Sequence, residues 1–314
     1  MRSLGCSSKI AIPLLIIFLV MVILGILAGP IGSAFIANNP LAFLTPSTPH
    51  VSLPSEGIVE LSFFTITNTL IASWITIIFL AVFFYFCTRK MKLIPGGLQN
   101  FAEVVVETIM NFIAGVSGDK VAIRFLPVVG TIFLYVFTNS FLALIPVYNT
   151  IGFHEHGGLF LPLLRGANTD INVPITTAAV AFCFIEYLGI KEYGAGHYFG
   201  GFFKIDPLVW GFKQLFKGKF VGFIKGFFMG CINVFIGLIE VLSHFIRLVS
   251  FSFRLFGNMT AGEILIMVIT FLAAFVIPFI FYGLELFFGL IQAVIFAGLT
   301  LVFGTIALTS HSEE

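Results

Sequence analysis

Residues 227–276 read FFMGCINVFIGLIEVLSHFIRLVSFSFRLFGNMTAGEILIMVITFLAAFV, and this stretch decides what kind of molecule the chain is. A helix crosses a bilayer core of ~30 Å with ~20 apolar residues, so a segment of this length is too long for one perpendicular span. It tilts steeply, lies partly along the membrane, or breaks. Among its Phe, Leu, Ile and Val residues stand Glu240, His244, Arg247, Arg254, Asn258 and Glu263. A charge at the bilayer centre costs ~2.5–3.5 kcal/mol on insertion scales, which makes intramembrane ionisable residues functional candidates. At about 100° per residue, Glu240, His244, Arg247, Arg254 and Asn258 fall in one band of a helix. Glu263, nine residues beyond Arg254, points to the opposite face.

Beyond Pro278 a second long apolar segment, Phe279 to Leu308, carries Glu285 and Gln292, which are seven apart and share a side. Glu240, His244 and Arg247 lie near a lysine-rich stretch, where charges pair with each other or snorkel to the interface. Arg254 has apolar residues far in both directions, and a guanidinium does not escape burial by losing its proton. It therefore calls for a carboxylate from another segment or another subunit. If that carboxylate cycles between protonated and ionised forms, Arg254 stabilises only the ionised one, which is the logic of a proton or sodium pathway.

The remainder of the chain supports a membrane reading. Of 314 residues, 59% are hydrophobic and 10% charged, with a mean hydropathy of +1.09, whereas globular domains are ~25% charged. The apolar runs lack the alternating polarity of a β-barrel, so the expected fold is all-α and polytopic, with about five to six membrane helices. Net charge is +1, which gives no bulk attraction for nucleic acid. Cys6, Cys87, Cys183 and Cys231 are scattered without metal-ligand or disulfide spacing, so no metal or cofactor is expected.

The first apolar segment, Ile10 to Ala28, is a retained span or a cleaved signal. With the Pro-rich loop to Gly57 it forms an N-terminal part, 1–57, ahead of a membrane domain, 58–314. Further helices are expected from Leu61 to Cys87, Leu98 to Ile113 (at the interface or against neighbouring helices), Phe125 to Ile145 and Val173 to Gly189. The residues from 191 to 225 read as an interfacial connector. The basic residues set the orientation, because Lys and Arg accumulate in cytoplasmic loops. Those near the N-terminus, at 89–92, at 120–124 and at 191–225 fall on the inside. The outer loops then hold no Lys or Arg at 30–57, and only Arg165 at 147–172.

Ser250 to Glu263, SFSFRLFGNMTAGE, closely resembles the signature of subunit a of F-type ATP synthases. PGGLQNFAEVVVE from Pro95, FLPVVGTIFLYVFTNSFLALIP from Phe125, TDINVPITTA from Thr169 and LIQAVIFAGLT from Leu290 resemble the same family in the same order. The resemblance runs from about Ile58 to Ser310. It implies that the last two segments form long tilted helices packed against a ring of c subunits, with Arg254 as the essential stator arginine between two aqueous half-channels. It also implies that Asn258 and Gln292 are polar neighbours of that arginine, and that Glu263 and Glu285 line a half-channel. Asp170 and Asn172 match the polar start of a preceding helix. Several bacterial members carry His where Glu285 stands, so this chain has two acids at a coupled pair of positions.

The implied partners are the c-ring, b-type peripheral stalk subunits, the rest of the complex, the bilayer, and H⁺ with Na⁺ as the alternative cargo. The implied location is the bacterial plasma membrane, with the mitochondrial inner and thylakoid membranes as alternatives. No phosphate-binding loop of the G-x-x-x-x-G-K-[ST] type is present, so nucleotide chemistry is not expected of this chain itself. The competing class is a self-contained secondary transporter or channel. Such folds often show repeated halves with interrupted helices, and no internal repeat is visible.

Overall fold

The computed structural model describes residues 8–35, 52–60, 62, 64–145, 148, 151–154, 160–194, 196, 198, 200, 209–210, 213, 220–273 and 275–309. Among these, eight helices carry the fold: α1 (Ser8–Ala28), α2 (Pro30–Phe35), α3 (Asn68–Thr88), α4 (Leu98–Ser117), α5 (Asp119–Ala143), α6 (Asn172–Tyr193), α7 (Phe220–Leu272) and α8 (Val276–Thr309). Two small antiparallel ladders pair β1 (Gly57–Glu60) with β2 (Thr65–Thr67) and β3 (Gly152–His154) with β4 (Phe160–Pro162). Six helices, α1, α3, α5, α6, α7 and α8, are long and apolar enough to cross a membrane. The expected all-α polytopic fold is the one found.

The overlong segment does not break internally. α7 runs 53 residues without interruption, about 80 Å at 1.5 Å per residue, against a hydrocarbon core of ~30 Å. With no break over Phe220–Leu272, tilting and lying partly along the membrane are what is left of the three expected arrangements. α7 ends at Leu272 and α8 begins at Val276, and just ahead of α8 Phe275 takes a left-handed φ of 70°. Pro278 does not make this joint. It sits in the first turn of α8, where a missing N–H leaves no intrahelical bond unmade.

Other boundaries move for local reasons. α3 begins at Asn68 rather than near Leu61, because β-branched Ile58, Val59, Thr65 and Ile66 favour the β1–β2 ladder ahead of it. α5 starts six residues before Phe125, at Asp119, and tolerates Pro127 inside it. α4 and α6 end at Gly118 and Gly194, which adopt φ of 81° and 76° and close the last turn with N–H bonds to Ala114 O and Ile190 O. Within the loop expected at 30–57, Pro30–Phe35 is helical and 36–51 lie outside the described residues. Most of the connector expected at 191–225 also lies outside them, and from Phe220 it is already α7.

The chain divides into two compact units, 1–79 with 136–170 and 256–292, and 80–135 with 171–255 and 293–314. The second has an apolar centre of Ile109, Ile113, Ala122, Phe125, Val129, Leu188, Ala297 and Leu301. Phe125 stacks edge-on against Phe184 at 5.7 Å between ring centres. Gly304 admits the Phe125 ring where a Cβ would collide with it, the close approach that small residues permit between membrane helices. The first unit buries an unusual share of polar side chains, among them Asn68, Thr69, Asn139, Asn168, Asp170, Glu285 and Gln292.

Candidate functional site

The polar interior of the first unit is built on a short buried turn. Gly166 leads into a 3₁₀ turn, Ala167–Thr169, whose three residues are all buried. Asn139 on α5 accepts the Ala167 N–H at 3.4 Å, and Thr169 Oγ1 bonds the Gly166 carbonyl at 2.7 Å. Asp170, next in line, accepts a 3.0 Å hydrogen bond from Thr69 Oγ1 at the start of α3. Asn68 closes the same end of α3, its backbone N–H donating to Glu56 O and its side chain to Pro162 O. Backbone in a membrane protein needs such partners, since lipid supplies none.

Beside this turn lies a cavity of ≈ 40 Å³ lined by Asn139, Ser140, Asn168, Thr169, Glu263, Tyr282 and Glu285, with Met259 and Ile266 on its apolar side. By the same measure one water needs ~10–15 Å³, so the space suits about three. Asn139 Nδ2 and both amide atoms of Asn168 are buried here without a partner among the described residues. Unpartnered polar atoms inside a polar cavity are the mark of a hydrated site, because a dry one leaves their desolvation uncompensated.

Two close approaches shape the cavity. The Glu285 carboxylate lies against Gly262, occupying the space that a side chain at 262 would need. Gly289 faces Ser140, whose Cβ would stand 2.8 Å from a side chain at 289. Glu263 meets Arg165, whose Nε donates to Oε1 at 3.1 Å and to Oε2 at 2.9 Å.

In the first unit, Glu263 and Glu285 share the cavity wall. Asp170 is buried beside Thr69, Asn258 is half-buried, and Gln292 is buried with Nε2 unpartnered among the described residues. In the second unit, Arg254 is exposed on α7 and makes no ion pair among the described residues. Glu240 is exposed as well, and Asn172 is the exposed first residue of α6. His244 Nδ1 stands 2.8 Å from Glu186 Oε1, and Tyr198 donates to Glu186 Oε2 at 2.7 Å. Arg247 lies 3.8 Å above the Phe303 ring, a cation–π contact.

Sequence reasoning missed Arg165, Asn139, Asn168 and Glu186. Arg165 alone left a signal, as a single basic residue in a loop assigned to the outside, where basic residues are scarce. The asparagines gave none, since isolated Asn in apolar segments has no spacing rule.

These features define a multi-pass α-helical membrane protein with buried polar side chains lining a small cavity. The family model for the ATP synthase A chain matches residues 70–305, and the chain belongs to that family. Its relatives include the ATP synthase subunit a of Aliarcobacter butzleri, 30% identical over 72% of this chain and 82% of the relative. That of Sulfurimonas denitrificans is 30% identical over 80% and 93%, and that of Helicobacter pylori strain P12 is 26% identical over 77% and 91%. The chain is thus a subunit of the ATP synthase complex without a catalytic site of its own, and a multi-pass protein of the plasma membrane.

Proposed function

We propose that this chain is the stator that passes protons across the membrane and turns a ring of c subunits. The observation that carries the reading is the cavity to which Glu263 and Glu285 both contribute, with Asn139 and Asn168, inside a largely apolar membrane protein. A proton enters from the outer side through a half-channel containing these two carboxylates, with Asp170, Asn258 and Gln292 among its polar groups. It then neutralises a carboxylate on the ring, and the neutral site rotates into lipid at little desolvation cost. An ionised ring site is instead held by Arg254, which has no counter-ion among the described residues. Asn172, Glu240 and His244 belong to the pathway as well.

Each charge crossing the membrane supplies ~2.3 kcal/mol per 100 mV, so several ions are needed for each nucleotide phosphorylated elsewhere in the complex. The c-ring and b-type stalk subunits are the partners this mechanism requires. H⁺ is the cargo, and Na⁺ is the alternative set by the ring.

Arg254→Ala in the reconstituted complex tests the reading. ATP-driven pumping is expected to fall ~100-fold or more, in keeping with the ~3–5 kcal/mol lost when a desolvated charge pair is broken. Undiminished pumping would falsify the stator role. Purification in mild detergent separates the transporter alternative: co-purifying c and b subunits support the stator, and a solitary active chain supports a transporter.

A further inference from the structure

Arg165 is placed as few loop cations are. Its side chain is 4% exposed and that of Glu263 15%. While Nε engages both Glu263 oxygens, Nη1 donates to the Pro54 carbonyl at 3.3 Å. One guanidinium therefore fastens the 52–57 segment, the turn after residue 164 and α7 together. Arg suits this because its rigid fork keeps several donors aligned, and its charge does not leave with a proton.

The two cavity carboxylates differ accordingly. Both Glu263 oxygens are held by the Arg165 guanidinium, so a proton reaches either one only by displacing a charge-assisted hydrogen bond. Glu285 has no cation within ion-pair distance among the described residues, and its carboxylate lies against Gly262 at the cavity wall.

We infer that Arg165 is a positioning residue that takes Glu263 out of proton exchange, leaving Glu285 as the carboxylate that relays protons through this cavity. The inference rests on the half-channel reading above. In the relay, a proton from cavity water forms an O–H bond on the Glu285 carboxylate and leaves it for the next acceptor, with no change of oxidation state. Glu263 remains the fixed counter-ion that makes a buried Arg165 tolerable.

The test uses the assembled, reconstituted complex carrying E285Q, R165Q, E263Q, R165Q/E263Q or R165K. Proton-driven synthesis is expected to fall ~100-fold in E285Q, the scale of removing a proton-transfer group. R165Q is expected to add a second step to the pH profile as Glu263 becomes free to exchange. R165Q/E263Q is expected to remove that step and to recover most of the rate, since the pair is then neutral. R165K is expected to keep the single-step profile. Infrared difference spectra on an outward pH jump supply a second measurement. The ring carboxylate contributes a band of its own in every variant; the additional protonated-carboxyl band of the wild type should vanish in E285Q and persist in R165Q/E263Q.

The opposite pattern, with the band and the rate lost in R165Q/E263Q and retained in E285Q, overturns the assignment. Wild-type rates in both variants overturn the half-channel reading itself.

Discussion

The two units of this chain spend their burial differently. The unit of 80–135, 171–255 and 293–314 centres on Phe125, Ile113, Val129 and Leu301, and its recess of ≈ 340 Å³ is lined by Val, Ile, Phe and Ala with Thr108 as the one polar residue. The unit of 1–79, 136–170 and 256–292 buries Asn139, Asn168 and Glu285 around a cavity of ≈ 40 Å³. All the buried side-chain atoms left unpartnered among the described residues belong to it, including Thr260 Oγ1 and Gln292 Nε2. A core built for packing satisfies itself. A core that leaves donors and acceptors open at a water-sized space is arranged for something to pass through or bind.

The largest effect is expected in the packed unit, where Phe125→Ala removes a fully buried ring from the apolar centre. Large-to-small core changes of this kind cost about 3–5 kcal/mol, so the assembled complex should lose resistance to denaturing detergent. The pH profile of whatever complex survives should be unchanged. A changed profile would mean that this unit takes part in proton transfer.

Gly262→Ala is expected to act in the reverse manner. The new Cβ meets the mobile end of Glu285 rather than backbone, so that carboxylate swings aside while the helix stays intact. Assembly should be normal and proton-driven synthesis reduced ~10-fold, about 1.4 kcal/mol of barrier. Loss of assembly without loss of rate per complex would show the glycine to be there for packing alone.

The smallest effect is expected at the Arg124–Glu192 pair, 3.4 Å apart with side chains 61% and 50% exposed. Exposed pairs contribute ~0–1 kcal/mol. Arg124→Ala should leave both the detergent titration and the synthesis rate within error. A clear loss in either would move this pair out of the category of incidental surface contacts.

Much of the fold was legible because membrane helices announce themselves by length and polarity alone. The spans of α3, α5, α6, α7 and α8 follow from apolar runs and from the cost of charges within them. Boundaries shifted where short-range pairing competed with helix, as at β1–β2, or where a proline was compatible with the first turn, as at Pro278. Of the candidate site, Glu263 and Glu285 were legible because carboxylates are conspicuous among Phe and Leu. Their shared cavity was not, because nothing in the spacing of two separate helices says which faces meet.

From the sequence alone come the class of protein, the family it resembles, and the opposed faces of Arg254 and Glu263. All three depend on composition, motif and the fixed angle per residue of one continuous helix. The tertiary structure alone decides that Arg165 closes on Glu263, that Glu285 rests on Gly262, and that Asn139 and Asn168 turn unpartnered atoms to one space. Those contacts join residues up to 98 positions apart, and only packing selects them from the many partners that a chain of this length offers each charge.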